Sequence, residues 1–255
     1  MSPIAPRPPL DASEISKRIS QYWRVSVVEV TGSTQDDIAE KISSGDAIHG
    51  DVLVAEYQSA GRGRLDRKFE ADPAAALTFS LYVEIQRDRD EWGFIPLLTG
   101  LAAVLSLQEN DPKVVVDVKW PNDLLISNSK LGGIIGQATD EGVIIGVGIN
   151  VAMSANELPV SHATSLHLSD FKELNRNFLL ATFLNKFQEL FLRWQNGEDL
   201  RHLYREKCAT IGRLIKIELP GAKSLEGQAL DISAHGELIL VDGTRVSVGD
   251  VVHLR

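Results

Sequence analysis

Cysteine is nearly absent from the chain: Cys208 is the one thiol in 255 residues, so an internal disulfide framework is excluded. No Cys/His pairing has zinc-like spacing, and the six histidines (His49, His162, His167, His202, His235, His253) are scattered with no nucleophile nearby, which argues against hydrolase chemistry. No apolar run approaches the length needed to cross a bilayer, and the opening MSPIAPRPPLDASEIS has no apolar signal core. No membrane partner is expected, and a cytoplasmic location is the default. Basic charge is also scarce. The 26 Lys and Arg against 35 Asp and Glu leave a net charge of -9, which speaks against DNA as a partner. The familiar nucleotide and acyl-transfer signatures are missing too: no GxGxxG opens a helix, no Gly-Lys-Ser/Thr follows a glycine loop, and no GxSxG occurs. The remaining composition, 44% hydrophobic and 24% charged, is that of a globular protein long enough for one large domain and a small module.

Against this acidic background, the segment from Tyr57 to Phe69, YQSAGRGRLDRKF, gathers Gly61 and Gly63 with four cations, Arg62, Arg64, Arg67 and Lys68. It has no hydrophobic periodicity and cannot be core. Glycines let a ligand approach the backbone, and guanidinium and ammonium groups suit phosphate or carboxylate. The usual fate of a charge cluster is a solvated turn, but its concentration in so acidic a chain favours an anion-gripping loop. With no apolar anchor before Phe69, the loop is expected to repel itself when empty and to become ordered over an anionic ligand.

The rest of the chain reads as α+β. Residues 1–24 form a proline-rich loose arm and a short helix capped by Asp11 or Ser13 and running to about Trp23. RVSVVEV (24–30) is a strand, followed by a turn into a helix with Ser33 or Thr34 as N-cap. Strands at 51–56 and 76–85 flank the basic loop, and apolar spacing predicts a helix over 92–109. Strands at 114–120 and 124–126, then 130–139 and 143–151, joined by tight turns, predict an antiparallel meander. The sheet is therefore mixed and mainly antiparallel, with flanking helices. Residues 152–170 read as a long lid-like loop, and helices follow over 174–195 and 200–209. The texture changes at 210, where five short β segments with Pro-Gly, His-Gly and Asp-Gly turns predict a small barrel. The expected division is 1–24, 25–209 and 210–255.

Three further motifs could carry chemistry, though each alone is weak. Lys119-Trp-Pro-Asn-Asp123 sets Asn122 and Asp123 after a strand-ending proline, which is also ordinary turn chemistry. Lys130 precedes Leu131-Gly132-Gly133, and lysines are commonly just exposed. Gly146-Val-Gly-Ile-Asn150 leaves one sheet face without side chains at Gly146 and Gly148, as at a site where a ligand lies flat.

Taken in order, Gly32-Ser-Thr-Gln35, Ala55-Glu-Tyr-Gln-Ser-Ala-Gly-Arg-Gly-Arg64, Lys119-Trp-Pro-Asn-Asp123, Lys130-Leu-Gly-Gly-Ile134, Gly146-Val-Gly-Ile-Asn-Val151 and Ala163-Thr-Ser-Leu166 closely resemble the motifs of biotin protein ligases. The resemblance spans about residues 25–255, and the C-terminal segment resembles the family's SH3-like domain. It implies a biotin–[biotin carboxyl-carrier protein] ligase that joins biotin to ATP as biotinyl-5′-AMP, releases pyrophosphate, and transfers biotin to a lysine of a carboxylase carrier domain. It also implies a monomer or homodimer. Ser33, Thr34, Gln58, Gly61, Arg62, Gly63, Lys130, Gly133, Gly146 and Gly148 would then bind biotin. Arg64, Arg67, Trp120, Asn122, Asp123, Lys130 and Asn150 would hold ATP or the adenylate. Lys130, Arg64 and Asp123 would be catalytic, with Asp123 a general base or an anchor for the acceptor lysine. Mg²⁺ would arrive on the ATP phosphates, with no dedicated protein ligands assigned.

Two departures stand out: GRGRRGR has become GRGRLDR, so that Leu65 and Asp66 remove a cation and add an anion, and the usual Trp is Phe69. A lipoate ligase or transferase of the same fold is disfavoured because that family's arginine and triple-glycine signature is missing. A DNA-binding repressor would need more than the ~25 residues that precede the match, since domains start near 50 residues. A biotin-binding regulator without ligase activity could dispense with Lys130 and Asp123, and both are present.

Overall fold

Period-two alternation organises the main sheet. The computed structural model describes residues 5–64, 67–221 and 223–254. Seven strands, β1 (Arg24–Thr31), β2 (Asp51–Gln58), β3 (Ala76–Glu84), β4 (Val116–Lys119), β5 (Asp123–Ile126), β6 (Ser129–Ala138) and β7 (Gly142–Asn150), lie in the order β1-β2-β3-β7-β6-β5-β4. β1 and β2 are parallel, and the other neighbours are antiparallel. A parallel pair requires a crossover, and α2 (Thr34–Ser44) supplies it. The mixed, mainly antiparallel sheet expected from the sequence is what forms.

Alternate residues of β3 and β7 serve different faces. Leu77, Phe79, Leu81 and Val83 of β3, with Val143, Ile145, Val147 and Ile149 of β7, enter the large core. That core lies beneath α3 (Ile95–Asn110) and α4 (Arg176–Gln195), both lined with buried apolar residues. On the opposite face Leu53, Tyr82 and Ile144 make a smaller cluster with Ile38 of α2. The intervening positions on that face carry Thr78 and Ser80 of β3, paired across the ladder with Gly148 and Gly146 of β7. The face thus changes along its length from apolar and covered to polar, glycine-floored and open.

The C-terminal segment follows α5 (Arg201–Lys207). It is a five-stranded antiparallel sheet of β8 (Leu214–Leu219), β9 (Lys223–Ile232), β10 (Leu238–Leu240), β11 (Arg245–Val246) and β12 (Asp250–His253), ordered β11-β10-β9-β8-β12. Its inward residues, among them Ile215, Ile217, Ile232 and Leu238, belong to the same continuous core as the main sheet. Trp120 pins the seam. It is 1% exposed, its indole N–H donates to the Gly236 carbonyl at 3.0 Å, and its backbone N–H reaches Thr210 Oγ1 at 3.2 Å.

Several expectations need correction. The helix after Asp11 is the single turn and a half of α1 (Ala12–Ser16), with Asp11 as its N-cap, and does not reach Trp23. The strand expected from Val114 begins at Val116, since Val115 is 62% exposed and has no core to face. The first turns of the helix expected from Trp92 are 3₁₀, over Arg89–Phe94. Together with α3 they form a 22-residue run, Arg89–Asn110, which has the length and apolar composition of a membrane span but is mostly buried within the protein. It is a core helix. The arm at 5–11 is docked instead of loose, through buried Ala5 and Leu10.

Candidate active site

The open end of the glycine face is the floor of a cavity of about 500 Å³. At one end, Ser33 caps α2 and Thr34 begins it. The Thr34 backbone N–H and hydroxyl both donate to Gln58 Oε1, at 2.8 and 3.1 Å, and the hydroxyl lies 2.8 Å from Ser80 Oγ. These side chains and Gln35 make a compact polar end wall. Ser80 was not among the residues expected from the sequence, although the polar alternation of Thr78 and Ser80 in the strand TFSLYV was a usable signal.

The floor is not bare. A Cβ on Gly148 would lie 2.6 Å from the Phe69 ring, and one on Gly146 2.7 Å from Gln35 Oε1. These glycines let Phe69 and Gln35 lie close against β7, and the cavity runs between them and Lys130. Gly133, beneath the Lys130 side chain, would meet nothing closer than 3.7 Å. Gly61 acts locally. A Cβ there would lie 2.4 Å from the Phe69 carbonyl, so glycine lets the basic loop close on itself.

That loop is a small hairpin. Gly63 N–H donates to the Arg67 carbonyl at 2.7 Å and Phe69 N–H to the Gly61 carbonyl at 2.9 Å, and Arg62 bridges Lys68. Leu65 and Asp66, the departures at its tip, lie outside the described residues. The expectation that the empty loop repels itself is offset at three of its cations, because two carboxylates, Asp36 and Asp250, pair with them. Arg62 pairs with Asp36 of α2 at 2.5 Å. Arg64 lies 3.7 Å from Asp250 of β12, donates to Asn122 Oδ1 at 3.0 Å and contacts the Gly249 carbonyl at 3.3 Å. Arg67 also pairs with Asp250. Nothing local in the chain marks Asp250, whose carboxylate comes from a strand more than 180 residues away. Burial pushes the Arg64 guanidinium below its usual range, opposed by Asp250 and Asp123.

Lys130 and Asp123 close the other end. β5 and β6 are joined by a tight turn with Ser127 and Asn128 at φ of 50° and 66°. The hairpin brings the Lys130 ammonium to 2.6 Å from Asp123 Oδ1. Asn122 is fixed by Nδ2 donating to the Ile134 carbonyl at 3.2 Å. Buried Asn150 donates to the Thr164 carbonyl at 2.9 Å and so fastens the segment after β7, where Pro159, Val160, His162 and Ala163 form a side wall. The cavity continues into a cleft of about 780 Å³ between the two sheets, bordered by Lys119, Arg213, His253, Asp123 and Lys130. Burial lowers the Lys119 ammonium, with Lys130 and Arg67 acting the same way. Of the candidate residues, Ser33, Thr34, Gln58, Arg62, Gly63, Arg64, Arg67, Asn122, Asp123, Lys130, Gly133, Gly146, Gly148 and Asn150 line the main cavity. Trp120 borders the cleft but is buried as the seam residue.

An elongated cavity with a hydroxyl-and-amide end, an aromatic flank and a crowd of cations at the far end fits a ligand that is polar at one tip and anionic at the other. Comparison with known proteins agrees. Residues 27–153 match the biotin/lipoate A/B protein ligase family and residues 210–254 the biotin protein ligase C-terminal domain. The chain is 36% identical to the biotin–[acetyl-CoA-carboxylase] ligase of Mycobacterium tuberculosis, over 98% of this chain and 97% of that one. It is 30% identical to the bifunctional ligase/repressor BirA of Escherichia coli, over 85% of this chain and 68% of that protein. The fold matches a biotin protein ligase from Aquifex aeolicus in complex with biotin and ATP, with a TM-score of 0.76 at 24% identity over 91% of this chain and 98% of that one. It also matches the Leishmania major enzyme in complex with biotinyl-5-AMP, with a TM-score of 0.59 at 22% identity over 91% and 98%. The chain therefore belongs to the biotin/lipoate A/B protein ligase family, and within it to the biotin protein ligases.

Proposed function

We propose that the chain joins biotin to ATP, releasing pyrophosphate, and transfers biotin from the resulting biotinyl-5′-AMP to a lysine of a biotin carboxyl carrier domain. The observation that carries this is the convergence of Lys130, Asp123, Asn122 and Arg64 at the anionic end of a cavity whose other end is Thr34, Ser80 and Gln58. A ureido group at the polar end would direct the biotin chain past Phe69 towards Lys130. A carboxylate oxygen of biotin attacks the α-phosphorus as the bond to the bridging oxygen of the β-phosphate breaks, and pyrophosphate leaves. Two anions must meet, so fixed cations lower the barrier. Lys130 exchanges its Asp123 partner for the reacting oxygens, and Arg64 holds the phosphate.

In transfer, the neutral amine of the acceptor lysine attacks the biotinyl carbonyl carbon and AMP leaves with the bond electrons. Asp123, beside the cleft, receives the ammonium or its proton. Among the described residues no group of three or more His, Cys, Asp or Glu is gathered around one point. Mg²⁺, which neutralises polyphosphate charge, would therefore be held chiefly by the substrate phosphates, as is usual for this ion; Asp123 and Asp250 are cavity carboxylates available to assist.

Lys130→Met tests the assignment. Biotin-dependent exchange of pyrophosphate into ATP should fall by about 10²-fold or more, the scale of losing one charge that stabilises a transition state, while biotin binding falls much less. Exchange at near wild-type rate would remove Lys130 from the chemistry.

A further inference from the structure

The arm ahead of α1 makes contacts too specific for a passive leader. The Pro8 carbonyl accepts from Arg176 Nη2 at 2.9 Å and the Pro9 carbonyl from Asn177 Nδ2 at 3.0 Å. Leu10 N–H donates to Glu56 Oε1 at 2.5 Å, and Asp11 N–H to Asn177 Oδ1 at 2.8 Å. Arg176 is 1% exposed and pairs with Glu56 at 2.6 Å. Glu56 lies in β2, two residues before Gln58 of the cavity wall. The arm is therefore registered against the sheet at fixed points.

From that anchored arm, Arg7 reaches across to the segment after β7. Its Nη2 donates to the Ala152 carbonyl at 3.0 Å and to both Glu157 oxygens, at 2.6 and 2.8 Å. Glu157 Oε2 also accepts from Ser154 N–H and Oγ, at 2.8 and 2.7 Å, closing a turn. Beyond that turn come Pro159, Val160, His162 and Ala163, the cavity's side wall. The same wall brackets the backbone of Lys130: Lys130 N–H donates to the His162 carbonyl and Thr164 N–H to the Lys130 carbonyl, both at 2.8 Å.

We propose that Arg7 is a positioning residue for ligation: by holding Glu157 and the Ala152 carbonyl it fixes the wall segment 152–163, and through that segment the backbone of Lys130, so that the N-terminal arm is a working part of the site. This rests on the role given to Lys130 above. Without Arg7 the Glu157 side chain retains only its short-range Ser154 contacts, and the wall loosens between its remaining ties at Ala152 and at Thr164, which weakens the brackets on the Lys130 backbone. All three contacts run through the single Nη2, so lysine at position 7, which also places its donors on one nitrogen but on a shorter stem, keeps the charge and only part of the reach.

The test uses the full chain carrying Arg7→Ala, Arg7→Lys or Glu157→Gln. Without ligand, Glu-C protease cleavage after Glu157, read as the fragment ending there, should rise several-fold in Arg7→Ala and less in Arg7→Lys. Hydrogen exchange at Lys130 and Thr164 should rise in Glu157→Gln. In pyrophosphate exchange, KM for biotin should increase about tenfold on losing a charge-assisted contact, with partial rescue in Arg7→Lys and a thermal midpoint that stays within a few degrees. Unchanged cleavage, hydrogen exchange and KM would overturn the proposal. So would a loss of activity that merely follows the unfolded fraction. If the wild-type chain shows no biotin-dependent exchange, the biotin reading fails, while cleavage and hydrogen exchange still decide whether Arg7 fixes the wall.

Discussion

Gly148 shows how much a single missing carbon decides. A methyl group there would enter the space of the Phe69 ring, 2.6 to 3.0 Å from three of its carbons, and overpacking of that kind costs about 1–3 kcal/mol. Because Phe69 is a side chain at the end of a hairpin, the strain is expected to appear as a displaced ring and weaker biotin binding more than as unfolding. In Gly148→Ala, biotin affinity should fall about tenfold, the equivalent of about 1.4 kcal/mol. Phe69→Ala added to it should recover part of the loss, a coupling expected of residues in contact. Strictly additive effects in calorimetric titration would show that ring and glycine act independently. At this scale the sequence was informative where chemistry is local. Ser33, Thr34, Gln58, Asn122, Asp123 and Lys130 sit in short motifs next to the turns that aim them. Asp250, Ser80 and Arg7 were missed because each acts only through a neighbour distant in the chain, and an isolated acid, serine or arginine carries no mark of that.

The basic loop at the element scale is held by helix α2 and by the C-terminal sheet. Asp36 at the start of α2 pairs with Arg62, and Asp250 at the start of β12 pairs with Arg64 and Arg67. Counting cations along the chain suggested self-repulsion, and that count omitted acids supplied from elsewhere. In the proposed reaction, phosphate competes with Asp250 for the same guanidinium groups. Asp250→Asn should therefore free the hairpin when empty, seen as faster tryptic cleavage after Arg64 or Arg67. Biotin plus ATP should restore protection as the adenylate takes the place of the carboxylate. Equal cleavage of wild type and variant without ligand would show that Asp250 does not hold the loop. Strands and long helices were readable from alternation and helical spacing, whereas the single parallel pair depended on a crossover that periodicity alone does not specify. The docking of the arm escaped for the same reason as Asp250: it is fixed by Arg176, Asn177 and Glu56.

Across the whole molecule, the seam between the two sheets makes stability responsive to acid. His253 of β12 lies 3.1 Å from Thr210 Oγ1 through Nε2 and 3.4 Å from Arg213 Nη1 through Nδ1. Arginine can only donate, so Nδ1 accepts and the proton of the neutral ring sits on Nε2. Burial, with Lys119 and Arg213 nearby, pushes the imidazole down to about 4 from 6.5. Between those values the unfolded chain binds a proton that the folded chain does not, so stability falls as pH drops from 6.5 towards 4. His253→Gln should flatten that part of the thermal-unfolding profile; parallel profiles for wild type and variant would dissociate His253 from the seam. The shared core and Trp120 bind the two sheets together, and the cleft between them opens onto Asp123 and Lys130. In the proposed reaction, cavity, hairpin and cleft meet around one intermediate, the adenylate. Wild-type protein mixed with biotin and α-labelled ATP, without an acceptor, should release pyrophosphate and co-elute with labelled biotinyl-AMP, whereas Lys130→Met should retain almost none. Pyrophosphate release independent of biotin, or no adenylate on the wild-type protein, would contradict adenylation at this cavity.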